Sequence, residues 1–332
     1  MLDWLRLIRA SGLLTIASNV LAAVLVAATG DDLTLRPLIK RLHSGGAQHL
    51  LWIPLASFCL YAAGMLWNDL TDVDRDRVLN PRRPLPSGRI GIATAYVAGV
   101  VLALGALICG YLAEGRTGFN AAGVVLTLAL LYNFVAKDVP YVGSLVMGLV
   151  RASHAIFALL LLGQDYFKMA LPITREPDHQ PLLFAYPLIL GIYIFGLTLV
   201  SELESRRAHR WELLLGGACI ACAIAVAVAR IGDAHWLKPL WHRPGIGPVG
   251  VGLALASALI VLVSLLTLIG RPYLEALRTG KQALVGSTVF AGLAGIILLD
   301  ALVAVSAHPL GAVLVAAAFP LFRGIGAMIR MD

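Results

Sequence analysis

The stretch Trp67-Asn68-Asp69-Leu70-Thr71-Asp72-Val73-Asp74-Arg75-Asp76 packs four aspartates and an asparagine into ten residues. On a helix, Asn68, Asp69, Asp72 and Asp76 fall within an arc of about 100°, and Asp74 points away. Carboxylates this close repel one another unless a cation lies among them. Hard oxygen donors suit Mg2+, which shares its shell with water and substrate phosphates. The plain alternative is a solvated acidic loop paired with Arg75 and Arg77. The chain continues Asn80-Pro81-Arg82-Arg83-Pro84-Leu85-Pro86-Ser87-Gly88-Arg89. Its three prolines stop the helix and stiffen the loop. Arg82 and Arg83 follow the acids at a spacing that a diphosphate could bridge, and the planar guanidinium fork grips phosphate well.

These residues need a scaffold, and composition says which kind. Of 332 residues, 59% are hydrophobic and only 14% charged, with a mean hydropathy of +0.84. A soluble domain carries roughly 25% charge, so this chain cannot cover a water-facing surface. Disorder, a coiled coil and a disulfide scaffold are excluded on the same figures. An outer-membrane barrel would need alternating strands of about 10 residues, whereas the apolar runs here are long and continuous. The expected fold is an all-α polytopic membrane bundle. Segments 12–29, 49–68, 92–113, 119–136, 142–163, 181–200, 213–231, 248–270, 284–306 and 309–328 are the candidate spans, the last shortened and carrying Pro320. No linker divides the chain, so residues 1–332 read as one domain. The first run follows Arg6 and Arg9 and reads as a start-transfer helix rather than a cleaved signal.

The net charge of +7 is read as membrane topology, not nucleic-acid binding, because inner loops are enriched in Lys and Arg. Sixteen basic residues fall on one side, including Arg6, Arg9, Arg75, Arg77, Arg82, Arg83, Arg89, Lys137, Arg206, Arg207, Arg210 and Arg330; nine fall on the other, including Arg36, Lys40, Arg41, Lys168, Arg175, Lys238 and Arg243. The richer side is expected to be cytoplasmic, with both termini there and 30–48 and 233–247 outside. Cys59, Cys109, Cys219 and Cys222 lie inside apolar runs and are read as packing residues.

The pattern N-D-x-x-D-x-x-x-D followed by the Arg- and Pro-rich loop resembles the UbiA superfamily of intramembrane prenyltransferases. Tyr132-Asn133-Phe134-Val135-Ala136-Lys137, with Pro140 and Gly143, resembles a second block of that family. The resemblance implies Mg2+-dependent transfer of a prenyl group from a polyprenyl diphosphate to a lipophilic or aromatic acceptor within the bilayer. It implies that Asn68, Asp72 and Asp76 hold Mg2+ on the diphosphate with Asp69 close by. Arg83 and Lys137 would neutralise the leaving diphosphate, and Tyr132 would face the allylic cation. The family has nine spans, so a tenth C-terminal segment is a departure.

A second departure concerns catalysis. Where the family carries a second aspartate-rich motif, this chain has Ser201-Glu202-Leu203-Glu204. On a continuous helix the two glutamates point about 200° apart, so only one faces the cavity; Glu202 is the one assigned to it. This stretch, the block from Pro140 to Arg151 and the late Asp300 resemble a divergent EboC-like branch. That branch implies a second reading, a non-catalytic carrier or assembly factor for a small metabolite, in a bacterial inner membrane with the metal site on the cytoplasmic side. Arg151 lies midway along its span with His154 one turn on. A charge at that depth costs about 2.5–3.5 kcal/mol on insertion scales, so Arg151 is expected to face the cavity and bind acceptor or diphosphate. Asp300 is expected to pair with Arg230.

Overall fold

The computed structural model describes residues 2–27, 47–160, 181–204, 210–232, 234, 248–308 and 310–328. Among these residues all regular structure is helical. The helices are α1 (Leu2–Leu7), α2 (Leu13–Ala27), α3 (Ala47–Thr71), α4 (Val73–Leu79), α5 (Ile92–Leu131), α6 (Val142–Leu159), α7 (Pro181–Glu202), α8 (Arg210–Gly232), α9 (Pro248–Thr279), α10 (Gln282–Ala307), α11 (Gly311–Ala316) and α12 (Ala318–Met328). A π-turn over Tyr132–Ala136 extends α5. Seven helices among the described residues are long and apolar enough to cross a membrane.

Two segments depart from the expected spans. The third and fourth run together as α5, broken where Glu114 and Gly115 leave helical geometry. Gly115 sits at φ 57° there, a left-handed conformation that glycine adopts without a Cβ clash. The tenth segment is not one helix: α11 ends at Ala316 and α12 starts at Ala318. Pro320 supplies the cause, since it cannot donate a backbone hydrogen bond to the Ala316 carbonyl four residues earlier. The expected outer loops 30–48 and 233–247, together with Lys168, Arg175, Arg206, Arg207 and Arg330, lie largely or wholly outside the described residues.

α10 runs through the middle of the bundle; from Ile296 to Ala307 every residue is buried. It packs on α2, α7, α8, α9 and α11. α3 lies along α5, and α7 is sandwiched by α6 and α8. Outward faces are apolar: Val97, Val101, Leu104 and Ile108 on α5, and Leu253, Leu259 and Ile260 on α9, are exposed. That is the inverse of a water-soluble surface and suits hydrocarbon, where each helix satisfies its own backbone.

Small residues set the helix spacing, because lipid supplies no hydrophobic force to drive helices together. A Cβ added at Gly148 on α6 would lie 2.8 Å from the Gly191 carbonyl oxygen on α7. Gly148→Val is therefore expected to cost about 1–3 kcal/mol through overpacking, read as a lowered Tm of the detergent-solubilised protein. Gly252→Ala, which meets nothing within 4 Å, should leave Tm unchanged.

Candidate active site

At the end of α3 the acids are buried, not solvated. Asp69, Asp72 and Asp76 are each under a tenth exposed, whereas Asp74 is exposed and paired with Arg77 at 2.6 Å. Each buried carboxylate has its own cation. Asp69 accepts from Arg9 Nη2 at 3.3 Å. Asp72 Oδ1 lies 2.5 Å from Lys137 Nζ, and its Oδ2 lies 3.1 Å from Arg75 Nη2. Asp76 Oδ2 lies 2.6 Å from Arg83 Nη1, while Oδ1 accepts from Asn80 at 3.0 Å. Asn68 donates to Asp69 at 3.5 Å.

The expected arc thus becomes four ion pairs on three carboxylates rather than one shared acidic pocket. Among the described residues no three His, Cys, Asp or Glu side chains converge closely enough to hold a metal. The helix that carries them is interrupted: Asp72, at φ −96° and ψ 0°, caps α4. The donor chemistry still fits a hard cation, because three carboxylates and an amide oxygen sit within two helical turns on one side of the chain. Their counter-charges are the tips of long side chains, those of Arg9, Arg75, Arg83 and Lys137.

The basic residues come from three places. Arg83 is fixed by its loop, where Ile90 and Leu85 bury against Leu66 and Ala95. Arg82 is exposed; its carbonyl accepts from Arg89, and its side chain is not brought to the acids. Lys137 is delivered by the π-turn. Its backbone N–H donates to the Tyr132 carbonyl five residues back at 2.9 Å, the wide closure that often marks functional sites. Asn133 pins the turn to α3 by donating to the Gly64 carbonyl at 3.0 Å. Lys137 then reaches Thr71 at 2.7 Å as well as Asp72, and Tyr132 faces the cavity.

That cavity has two lobes. One, of about 140 Å³, runs between α3, α5 and α6; the other, of about 320 Å³, opens toward α7, α10 and α12. Arg9, Tyr61, Met65, Tyr132, Met147 and Arg151 line both, so they form the shared wall. Asn68 borders the smaller lobe, placing the acidic mouth against the cavity.

The glutamates differ from the sequence reading. Glu202 accepts from Ser144 Oγ at 2.5 Å and from the Tyr141 backbone N–H at 3.3 Å, so its carboxylate is engaged at the start of α6. Glu204 lines the larger lobe. Only one of the two glutamates faces the cavity, as the helical wheel requires, but it is Glu204, which continues the face of Ile194, Leu197, Thr198 and Ser201 that lines the larger lobe.

Arg151 does face the cavity. Its Nη1 donates to Asn19 Oδ1 at 3.2 Å and its Nη2 to Thr15 Oγ1 at 3.5 Å. Asp300 is bound not to Arg230 but to Ser18 and Asn19, both at 2.6 Å, and to the Tyr186 hydroxyl at 3.0 Å. Asn19 therefore joins the half-buried Arg151 to the buried Asp300. Arg9, Asn19 and Ser57 were missed by sequence reasoning, and Glu204 was set aside in favour of Glu202. Arg9 stood among terminal charges and Asn19 was isolated in an apolar run, and neither shows a spacing that marks it.

This is an integral membrane bundle whose acid- and cation-lined mouth opens on an internal cavity. A family model describing the UbiA prenyltransferase family matches residues 16–213, more than half of the chain, and the chain belongs to that family. It is similar to digeranylgeranylglyceryl phosphate synthases. The Sulfolobus acidocaldarius protein is 35% identical over 157 residues, which are 46% of this chain and 49% of the relative. A polyprenyl transferase, ausN, of Aspergillus calidoustus is 41% identical over 88 residues, 26% of this chain and 24% of the relative. The chain thus spans half or less of the length of these curated relatives. Among solved structures, one of a digeranylgeranylglyceryl phosphate synthase aligns with 94% of this chain and 98% of its own at a TM-score of 0.57 and 15% identity. The apo form of a UbiA homologue from Aeropyrum pernix K1 aligns with 88% and 96% at a TM-score of 0.55 and 17% identity. These two establish a shared fold.

The Asp300 network makes a stability prediction. Asp300→Ala strands Ser18, Asn19 and Tyr186 and leaves Arg151 without its counter-charge, which should cost about 3–5 kcal/mol. Thermal unfolding in detergent should show a large drop in Tm, with Asp300→Asn intermediate. An unchanged Tm for the alanine variant would contradict the network.

Proposed function

We propose that this protein transfers a prenyl group from a polyprenyl diphosphate to a lipophilic acceptor inside the bilayer. The observation that carries the reading is the trio of buried aspartates, each in contact with a separate basic side chain, at the mouth of an apolar cavity. A diphosphate arriving there finds Lys137 and Arg83 within reach. Each can move from its aspartate to a phosphate oxygen, so the site's charge stays balanced as the donor enters.

Asn68, Asp72 and Asp76 would hold Mg2+ on the diphosphate, where it would stabilise the charge that develops as the allylic C–O bond breaks. Lys137 and Arg83 add positive charge at the same place, in surroundings that weaken its screening. Tyr132, on the shared wall, presents its ring to the carbon losing the diphosphate; aromatic faces attract cations. The apolar lobes house the prenyl chain and keep water from the cation. Glu204 rather than Glu202 is the acidic side chain placed to act from the far wall.

The relatives, named as digeranylgeranylglyceryl phosphate synthases and a polyprenyl transferase, favour this reading, and the cytoplasm is the side we assign to the acidic mouth. A carrier that binds the diphosphate without turnover is the second reading. What favours it is the engagement of Glu202 by Ser144 and Tyr141, which removes the expected second acid from the cavity.

Asp72→Ala should reduce Mg2+-dependent binding of geranylgeranyl diphosphate by at least about tenfold, since charge-assisted contacts contribute 1.5–3 kcal/mol each. Equilibrium binding to the purified variant checks it, and wild-type affinity in the variant would remove the cradle. Topology is tested separately. Reporters fused after Arg89 and Arg210 should read cytoplasmic, and one near residue 240 external; two on the opposite side would reverse the orientation.

A further inference from the structure

The turn that delivers Lys137 is followed by a strained residue. Tyr141 sits at φ 64° and ψ −33° just before α6, and across it the Val142 N–H donates to the Pro140 carbonyl at 2.8 Å. This is a γ-turn of the positive-φ form, which is rare and strained. A bulky side chain at positive φ carries a steric cost that glycine escapes. Such strain persists only where its surroundings impose it.

Two acids impose it here. Glu202, at the end of α7, accepts from the Tyr141 N–H at 3.3 Å and from Ser144 Oγ at 2.5 Å. It thereby caps the start of α6, where the helix dipole favours a negative charge. Glu212, in the first turn of α8, accepts from the Tyr141 hydroxyl at 2.7 Å. That carboxylate is only 1% exposed, so its charge-assisted bond meets little competition from water. The Tyr141 ring leans on Trp211, with centroids 6.0 Å apart. Backbone and side chain of one strained residue are each held by an acid from a different helix.

Lys137 is what this clamp steadies. The Gly143 N–H donates to the Val139 carbonyl at 3.1 Å and the Val139 N–H to the Ala136 carbonyl at 3.0 Å, so two short closures join α6 to the π-turn. The two also touch: a Cβ added at Gly143 would lie 3.0 Å from the Ala136 carbonyl oxygen and 3.1 Å from Lys137 Cα. With no slack between them, a shift of the start of α6 moves the Lys137 backbone. The Lys137 ammonium lies 2.5 Å from Asp72, and a displacement of about 1 Å takes that contact to the limit of hydrogen-bond range.

We propose that Tyr141 is a positioning residue for prenyl transfer. Held between Glu202 and Glu212, it fixes the start of α6 against the π-turn and keeps the Lys137 ammonium at the acidic mouth. What Lys137 does there rests on the prenyl-transfer reading; how it is held does not. Glu202, the glutamate that the sequence offers to the cavity, serves as one anchor of the clamp.

The test uses the full-length protein in lipid nanodiscs. Tyr141→Phe removes the bond to Glu212 and keeps the ring on Trp211. It should weaken Mg2+-dependent binding of geranylgeranyl diphosphate about fivefold, an ordinary coupling within one contact network, and cause no further loss in a Lys137→Met background. A merely structural loss would persist in that background. A second readout needs no diphosphate: acylation of Lys137 by an amine-reactive ester, followed by peptide mass spectrometry. It should run about fivefold faster in Tyr141→Phe, by the same coupling, with the exposed Lys281 unchanged. Gly143→Ala, which presses on Lys137 from the α6 side, should reproduce both effects and replaces Tyr141→Phe if that variant does not fold. Unchanged Lys137 acylation in the folded variant, or a binding loss that adds to that of Lys137→Met, overturns the clamp and leaves prenyl transfer standing. Absence of Mg2+-dependent diphosphate binding in wild type, with Lys137 acylation still accelerated in Tyr141→Phe, overturns prenyl transfer and leaves the clamp.

Discussion

A carboxylate withdrawn from water must be matched by positive charge close by, and the mouth of this bundle is organised by that requirement. Asp69, Asp72 and Asp76 are buried at the end of α3, and each draws a cation from a different part of the chain: Arg9 from the segment before α2, Lys137 from the turn after α5, and Arg83 from the proline-rich loop. Desolvation alone would make these acids costly. Pairing turns the same burial into a restraint that ties three distant segments to one helix end. The geometry of the site and the closure of the bundle therefore rest on the same contacts.

That arrangement also gives the site its chemistry. On the proposed reading, cations held by carboxylates would meet an arriving diphosphate and its divalent ion by exchanging partners, without adding uncompensated charge to the interior. The π-turn at Tyr132–Ala136 links this mouth to the cavity, because one local distortion directs Lys137 to the acids and Tyr132 to the apolar space. Deeper in the bundle the same rule recurs. Asp300 and Arg151 lie on separate helices and communicate through Asn19, so Arg151 is oriented from behind and turned toward the lobes.

Much of this was legible in the sequence, for reasons tied to particular residues. Long apolar runs force a helical membrane bundle, because backbone groups in hydrocarbon must be satisfied within the segment. The spacing of Asn68, Asp69, Asp72 and Asp76 marks one side of a helix end, and Asp74 does point away from it. Arg151 faces the cavity, as its insertion cost requires. What failed was local geometry. The helical wheel separated Glu202 from Glu204 but could not say which face meets the cavity; it is the face of Leu197, Ser201 and Glu204. The acids did not gather around one point, because a wheel counts their angles but not the basic side chains that separate them. Asp300 met Ser18, Asn19 and Tyr186 instead of Arg230, since contacts across more than a hundred residues leave no periodic trace.

The central claim is that the acid- and cation-lined mouth activates a prenyl diphosphate. The most direct measurement is pyrophosphate release by the purified protein in lipid, with geranylgeranyl diphosphate as donor and a panel of anionic and neutral lipophilic acceptors, with and without Mg2+. The account predicts release that requires both Mg2+ and an acceptor and that is lost in Asp72→Ala. Release that is independent of Mg2+, or undetectable with every donor and acceptor pair while the diphosphate still binds, would contradict it and leave a carrier.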